Sequence, residues 1–343
     1  MVTRKDVAVL AGVSPAVVSY VLNNSNYVSE EKRKAVLEAV EKLNYQPNYI
    51  GKSLRDKKTY NLGLVCDDIR GELFAEIAHY SECYAYQKGY KLFLCTSHQD
   101  DRFLRSMTNH RLDGIFLGTS IYSSDQINQM AENGIPIVLY KAKEYDHLDP
   151  RVRCLEIDYT SGTYEITRHL LDQGFEKAAY MPPYLSGVNV WREKDYRFKG
   201  YCRALAEFGM DMDEHLVSFD TSSYEAILDK AETLLREAQR EKKRIAFVTG
   251  NDYLAIRIMQ RFKELRLYDP SKIAITGMDN TASSRIVTPT LTTLDFSKEE
   301  IARLAIDLLV DKTVVQKNSV RIPTTVVKRE SSDGSLKSSR KSS

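Results

Sequence analysis

The chain is poor in the residues that cross-link, bind metals or anchor a protein. Its 343 residues include five cysteines, six histidines, nine prolines and one tryptophan. Cys66, Cys83, Cys95, Cys154 and Cys202 form no C-x-x-C pair and lie in or beside apolar stretches, where a free thiol acts as a small hydrophobe. No disulfide framework is expected. Cys95 and His98 have ligand-like spacing, but one pair is not a zinc site, so no metal and no cofactor are expected. There is no apolar run of about 18 residues, which excludes a membrane-spanning helix. The N-terminal MVTRKDVAVLAG is not a secretory signal, so the expected location is the cytoplasm. P-loop, G-x-G-x-x-G, H-E-x-x-H and G-x-S-x-G motifs are missing, and no carboxylate pair is placed by a motif; the chain does not read as an enzyme.

What is present is an ordinary globular composition, 43% hydrophobic and 28% charged. The length suits about two domains at roughly 100–200 residues each. The net charge of +2 conceals an asymmetry, since residues 1–58 carry ten basic and six acidic side chains and the remainder 39 and 41. A basic end on a near-neutral body suits a polyanion, though a solvated charged face would look the same.

Residues 1–46 read as three short helices. Thr3 caps the first, Arg4–Ala11, whose stripe is Val7, Leu10 and Ala11. Gly12 permits the turn; Ser14 caps the second helix and Pro15 occupies its first position. Val18, Val21 and Leu22 form its inner stripe, while Pro15, Ala16, Ser19, Tyr20 and Asn23 share the outer face. Ser29 caps a third helix to about Asn44, with Val36, Leu37, Val40 and Leu43 inward. Helix, glycine turn, helix is the layout of a helix-turn-helix. Pro47 stops the third helix, and Asn48 caps a short segment to about Asp56 that is too brief to be helical alone. From Tyr60 short apolar runs alternate with amphipathic helices, which predicts parallel sheets in two lobes. The first lobe is expected over about 60–158 and 291–330, the second over about 159–290. LVSF is expected to be a strand, Ile322–Val327 the last strand, and Ser331–Ser343 a disordered tail.

These residues carry a family resemblance. KDVA, AGVS, VSEE-x-R, LNYQPN and SLR, in this order, resemble the N-terminus of LacI/GalR-type bacterial transcription regulators, and the likeness continues to about residue 332. The resemblance implies a helix-turn-helix head (1–46), a hinge (47–59) and a two-lobed periplasmic-binding-protein-like body (60–330) that binds an effector and dimerises. It places Ser14, Pro15, Ala16, Ser19 and Tyr20 on DNA. Tyr20 stands where an arginine is common, and cannot make that residue's bidentate contact with guanine. Leu54 is implied as a minor-groove wedge, the alternative being a plain linker leucine, with Lys52, Arg55, Lys57 and Lys58 at phosphates.

In the body, GMDNTASSRIVTPTLTTLD assigns Asp279 to the cleft, DYRFKGYCRAL assigns Arg197, and FVTGNDYLAIRIMQRF assigns Asn251, with Asp252 capping the next helix. An internal Asp279–Arg197 salt bridge is the competing reading. LEIDYTSG makes Asp158 a cleft or a hinge residue. Trp191 is placed for stacking on a sugar ring or for packing, and Phe74 for ligand contact or core. The implied function is a dimeric repressor on a palindromic, double-stranded operator, at the nucleoid, with a sugar or sugar phosphate as effector. The alternative is an intracellular sugar- or nucleoside-binding protein without specific operator binding.

Overall fold

The computed structural model describes residues 2–46, 58–109, 112–184, 194–218, 220, 223–311 and 319–332. Pro47, Lys52, Leu54, Arg55, Lys57 and Trp191 lie outside the described residues. The chain divides into two units, Met1–Thr59 and Tyr60–Ser343. Among the described residues no single helix is long and apolar enough to cross a membrane.

The first unit holds α1 (Arg4–Leu10), α2 (Pro15–Asn23) and α3 (Glu30–Lys42). Thr3 and Asp6 close a reciprocal capping box at the start of α1. Gly12 turns the chain at φ +65°, and α2 leaves α1 at 102°. Ser14 Oγ accepts the Val17 N–H at 3.3 Å. Val7, Ala8, Val18, Val21, Val28, Val36, Ala39 and Tyr45 form the core. Two expected stripe residues fall outside it: Leu10 is 45% and Leu37 50% exposed. With only seven residues, α1 presents one narrow inner face, which Val7 and Ala8 fill. Ser29 makes no side-chain cap.

The second unit contains two parallel sheets. In the first lobe the order is β10-β5-β4-β3-β1-β2, from β1 (Asn61–Cys66), β2 (Lys91–Thr96), β3 (Gly114–Gly118), β4 (Ile137–Lys141), β5 (Arg153–Ile157) and β10 (Ser319–Ile322). It is flanked by α4 (Glu72–Gln87), α5 (Asp101–Asn109), α6 (Ser124–Glu132) and, after the chain's return, α12 (Lys298–Val310). The second lobe has β6 (Lys177–Met181), β7 (Ile245–Thr249) and β8 (Ile273–Thr276) side by side. Its helices are α7 (Tyr159–Asp172), α8 (Tyr196–Glu207), α9 (Tyr224–Arg240), α10 (Asp252–Glu264) and the short α11 (Ala282–Ile286). β9 (Thr293–Asp295) and β11 (Thr325–Val327) pair antiparallel between the lobes.

Three expectations need correction. The described part of LVSF, Leu216–Ser218, contributes one bridge, Val217 beside Tyr180, and no strand. The last strand is two strands, because Pro323 between β10 and β11 has no N–H to continue a ladder. The chain near 291–295 and 325–332 leans on the second lobe: Thr292 bridges Thr276, and Ser331 exchanges backbone hydrogen bonds with Ile275 and Thr290. Ser331 and Ser332 are accordingly buried, so the expected tail does not begin at Ser331.

The glycines of two matched motifs have a packing cause. A Cβ on Gly200 of α8 would lie 2.3 Å from Thr160 O, and one on Gly162 of α7 would lie 2.4 Å from Thr324 Oγ1. Gly200 therefore lets α8 cross α7 with backbone against backbone, while Gly162 lets Thr324 pack directly on α7. Gly200→Ala should destabilise the large unit by about 1–3 kcal/mol through overpacking. Denaturant melts of the purified variant check this; an unchanged midpoint would refute the close crossing.

Candidate effector cleft and nucleic-acid interface

The cleft forms where strand ends of both lobes face each other, the usual ligand position in open α/β sheets. Tyr140 comes from the end of β4, Tyr159 from the start of α7 and Tyr180 from β6. The Tyr140 and Tyr159 hydroxyls lie 2.6 Å apart, buried. Asp195 caps α8 and so brings Arg197 onto its first turn. The Arg197 guanidinium lies over the Tyr159 ring, 3.8 Å from its centroid, and its ion pair is with Asp195 at 3.5 Å. This stacking holds the cation where water has been excluded. Arg197 Nε has no hydrogen-bond partner.

Asp279 follows β8 in a backbone conformation with φ +120°, which side-chain-bearing residues rarely adopt; Asn280 follows at +48°. The turn is pinned, since Asp279 N–H donates to Leu294 O at 3.0 Å and Asn280 N–H to Thr293 Oγ1 at 3.2 Å. Asp279 is 5% exposed, and its Oδ1 is buried without a hydrogen-bond partner. Burial, and then repulsion from Asp252, drive its carboxyl well above the ordinary range, against the pull of Arg197 and Lys298. Among the described residues the Arg197 ion pair is with Asp195, so the competing Asp279–Arg197 salt bridge does not form.

The cap expected of Asp252 is made by Asn251. Asn251 Oδ1 accepts the Leu254 N–H at 2.8 Å and caps α10, which leaves its amide NH2 as the group able to meet a ligand. Asp252 is instead a brace. Its Oδ2 accepts from Thr281 N–H at 2.8 Å and Thr281 Oγ1 at 3.0 Å, and its Oδ1 accepts from Thr293 Oγ1. Only glycine fits beneath it, because a Cβ on Gly277 would lie 2.2 Å from Asp252 Oδ1.

Asp158 sits where the chain passes from β5 to α7. It caps α7 through Ser161 N–H and accepts from Arg321 at 2.7 Å, the geometry of a lobe crossing. Phe74 is half-buried, edge-on to Tyr140 with centroids 5.6 Å apart, and packs against Gly118 at the end of β3. Lys298, 5% exposed, reaches Asp295 at 3.3 Å from the start of α12 and its ammonium lies over Phe296. The sequence reading missed Tyr140, Tyr159, Asp195 and Lys298. The two tyrosines end or follow apolar runs and were legible as strand-end positions; Lys298 carries no sequence signal. The lobes also touch at both rims: Ser283 N–H donates to Glu72 at 3.0 Å, and Lys143 pairs with Asp195 in an antiparallel bridge.

In the first unit Pro15, Ala16, Tyr20 and Asn23 are exposed on α2, and Ser19 is partly so. Asn23 Nδ2 donates to Ser19 O at 2.9 Å and to Ser19 Oγ at 3.1 Å, so these two side chains form one polar patch. Tyr27, after the helix, is 95% exposed and was not singled out from sequence.

A small helix-turn-helix unit joined to a two-lobed body with a polar cleft defines a DNA-binding regulator with an effector domain. The profile of bacterial regulatory proteins of the lacI family matches residues 3–48, and that of the periplasmic binding protein-like domain matches 167–332. The HTH-type transcriptional repressor PurR of Glaesserella parasuis serovar 5 (strain SH0165) is 31% identical over 318 residues, 91% of this chain and 90% of that protein. The lac repressor dimer bound to operator and the anti-inducer ONPF superposes with TM-score 0.76 at 19% identity, over 96% of this chain and 99% of that one. A complex of the transcriptional regulator CelR with cellobiose superposes with TM-score 0.67 at 24% identity, over 96% and 100%. The chain belongs to the LacI family of bacterial regulatory proteins. It is a transcriptional repressor of that type, and not an enzyme.

Burial lifts the Asp252 carboxyl from 3.8 to about 6, even against the hydrogen bonds from Thr293 and Thr281. Between those values the folded chain holds a proton that the unfolded chain releases. Its contribution to stability is therefore present below about pH 4 and falls as pH rises through about 6. Urea melts should show wild type losing stability relative to Asp252→Asn across this interval; parallel profiles would refute the assignment.

Proposed function

We propose that this chain is a dimeric repressor that reads a palindromic operator and answers to a small polyhydroxylated effector of the sugar class held between the lobes. The observation that carries the reading is the pair of buried polar atoms, Arg197 Nε and Asp279 Oδ1, each lacking a partner. Buried polar groups are satisfied in nearly all native structures, and exceptions mark functional positions. One is a donor and the other an acceptor, which suits hydroxyl groups that do both. Phe74, Tyr140 and Tyr159 supply the apolar faces that accompany sugar rings. The cellobiose held by the similar CelR structure agrees with this class.

The dimer reading is supported by strand β2 at the open edge of the six-stranded sheet, where Phe93 and Leu94 are 49% and 42% exposed. An apolar, unpaired edge is a liability that a second copy removes. Ser14, Pro15, Ala16, Ser19, Tyr20 and Asn23 are proposed to face the major groove. Leu54 takes the minor-groove role, and Lys52 and Arg55 the phosphate contacts, that the family resemblance implies. Effector and operator affinities are then linked through lobe closure, and the repressor works at the nucleoid.

Two experiments test this. In a thermal-shift screen of sugars, a ligand at 100 times its Kd should stabilise wild type by about 2.7 kcal/mol, and Asp279→Ala should abolish the shift. A mutant that responds like wild type would overturn the cleft assignment. Binding sites selected from random DNA should differ between wild type and Tyr20→Arg at the base facing this side chain; identical consensus sequences would remove Tyr20 from the interface.

A further inference from the structure

Three tyrosines that the effector assignment does not use gather on the second lobe. Tyr184 follows β6, and Tyr224 and Tyr253 stand in the first turns of α9 and α10. All three therefore lie at the carboxyl ends of the parallel strands, the side of an open α/β sheet that takes ligands. Tyr253 comes two residues after Asn251, the cap of α10. The segment leading to Tyr184 is pressed onto the end of β7. Gly250 N–H donates to Met181 O at 2.7 Å, and a Cβ on Gly250 would lie 2.2 Å from Pro183 Cδ. The Tyr184 and Tyr224 ring centroids are 4.4 Å apart; those of Tyr224 and Tyr253 are 5.4 Å apart, with the rings at 77°.

Packing accounts for Tyr184 and Tyr224, which are half-buried against the core of the second lobe, but not for Tyr253. Tyr253 is 53% exposed and yet is fixed in place. Arg257, one turn further on, donates to its hydroxyl at 3.0 Å and is itself paired with Glu225 at 3.2 Å. An aromatic face ordered in advance loses less entropy when a ligand settles on it. Asp68 and Arg70 of the first lobe, after β1, stand within electrostatic reach of Tyr224 and Tyr253, so the cluster faces the opposite lobe. Asp68 and Arg70 pair with each other at 2.8 Å. The rim thus carries two ion pairs, Asp68–Arg70 and Glu225–Arg257, each of which cancels its own charge. Such a rim offers donors and acceptors without a net field, which suits neutral hydroxyl groups better than an anion or a cation. The ring angles choose the shape. Two faces at 77° make a corner and not a slot, so a flat base cannot be sandwiched there, whereas a puckered ring with an apolar C–H face fits against them.

We infer that this aromatic corner is a second saccharide subsite at the mouth of the effector cleft, so that the effector has at least two sugar rings. One ring lies between Asp279 and Arg197, and the next rests on Tyr253 and Tyr224. The inference rests on the sugar reading of the cleft. An outer ring in this corner touches both lobes, so a disaccharide favours the closed body more than its inner ring does alone.

Calorimetric titration of the full chain with glucose, galactose and xylose, and with cellobiose, maltose, lactose and xylobiose, tests this. At least one disaccharide should bind at least about tenfold tighter than the monosaccharides it contains, the effect of an added aromatic contact and its hydrogen bonds. Tyr253→Ala should remove most of that advantage and leave monosaccharide affinity unchanged. Tyr253→Phe, which keeps the ring, should retain most of it, and Asp279→Ala should abolish binding of both sizes of sugar. Monosaccharides that bind as tightly as every disaccharide built from them would overturn the inference and leave the cleft assignment standing. An undiminished disaccharide preference in Tyr253→Ala would do the same. Absence of heat with every sugar would remove the sugar reading itself, and this inference with it.

Discussion

The body of this protein depends on a contact that no side chain could enter. Helices α7 and α8 cross at Gly200, with the α8 backbone against Thr160 O. Because the helices are that close, the residues at their amino ends converge. Asp158 caps one at the lobe crossing, and Asp195 caps the other and presents Arg197 to Tyr159. A larger residue at Gly200 would separate the helices and, with them, the cation from its aromatic platform.

That convergence concentrates charge where water is scarce. Arg197 stands within electrostatic reach of Asp195 and Asp279, and Asp279 of Asp252 and Lys298, among buried tyrosines. The interior tolerates them unequally. Asp252 is fully engaged by threonines and braces the loop after β8. Asp279 is held by its backbone alone, in a left-handed conformation, and keeps a free oxygen. One acid braces a loop and its neighbour carries the recognition proposed for the cleft, a division that a low-dielectric setting enforces.

Much of this was legible in the sequence. Apolar runs ending in Tyr140 or followed by Asp158 marked strand ends, and Ser14, Pro15 and Gly12 marked the helix-turn-helix through chemistry that acts over three or four residues. The errors have one physical origin, since local patterns do not report what arrives from far along the chain. Asp252 resembled a cap because it begins a helix; its true partners, Thr281 and Thr293, lie 29 and 41 residues away. Ser331 and Ser332 resembled the start of a tail because their neighbours are serines, yet they fill gaps around Ile275 and Thr292. Leu10 and Leu37 fitted the helical period but face outward, since so small a unit has few inner positions.

The interleaving of the lobes bears on how the molecule is made. Strand β10 completes the edge of the first sheet only with residues 319–322, and Ser331 fastens the second lobe later still. The three-helix head is closed by Tyr45. A ribosome therefore releases a folded DNA-reading head long before either half of the sensor is whole. For most of translation the nascent chain has a gripping end and no means of being instructed.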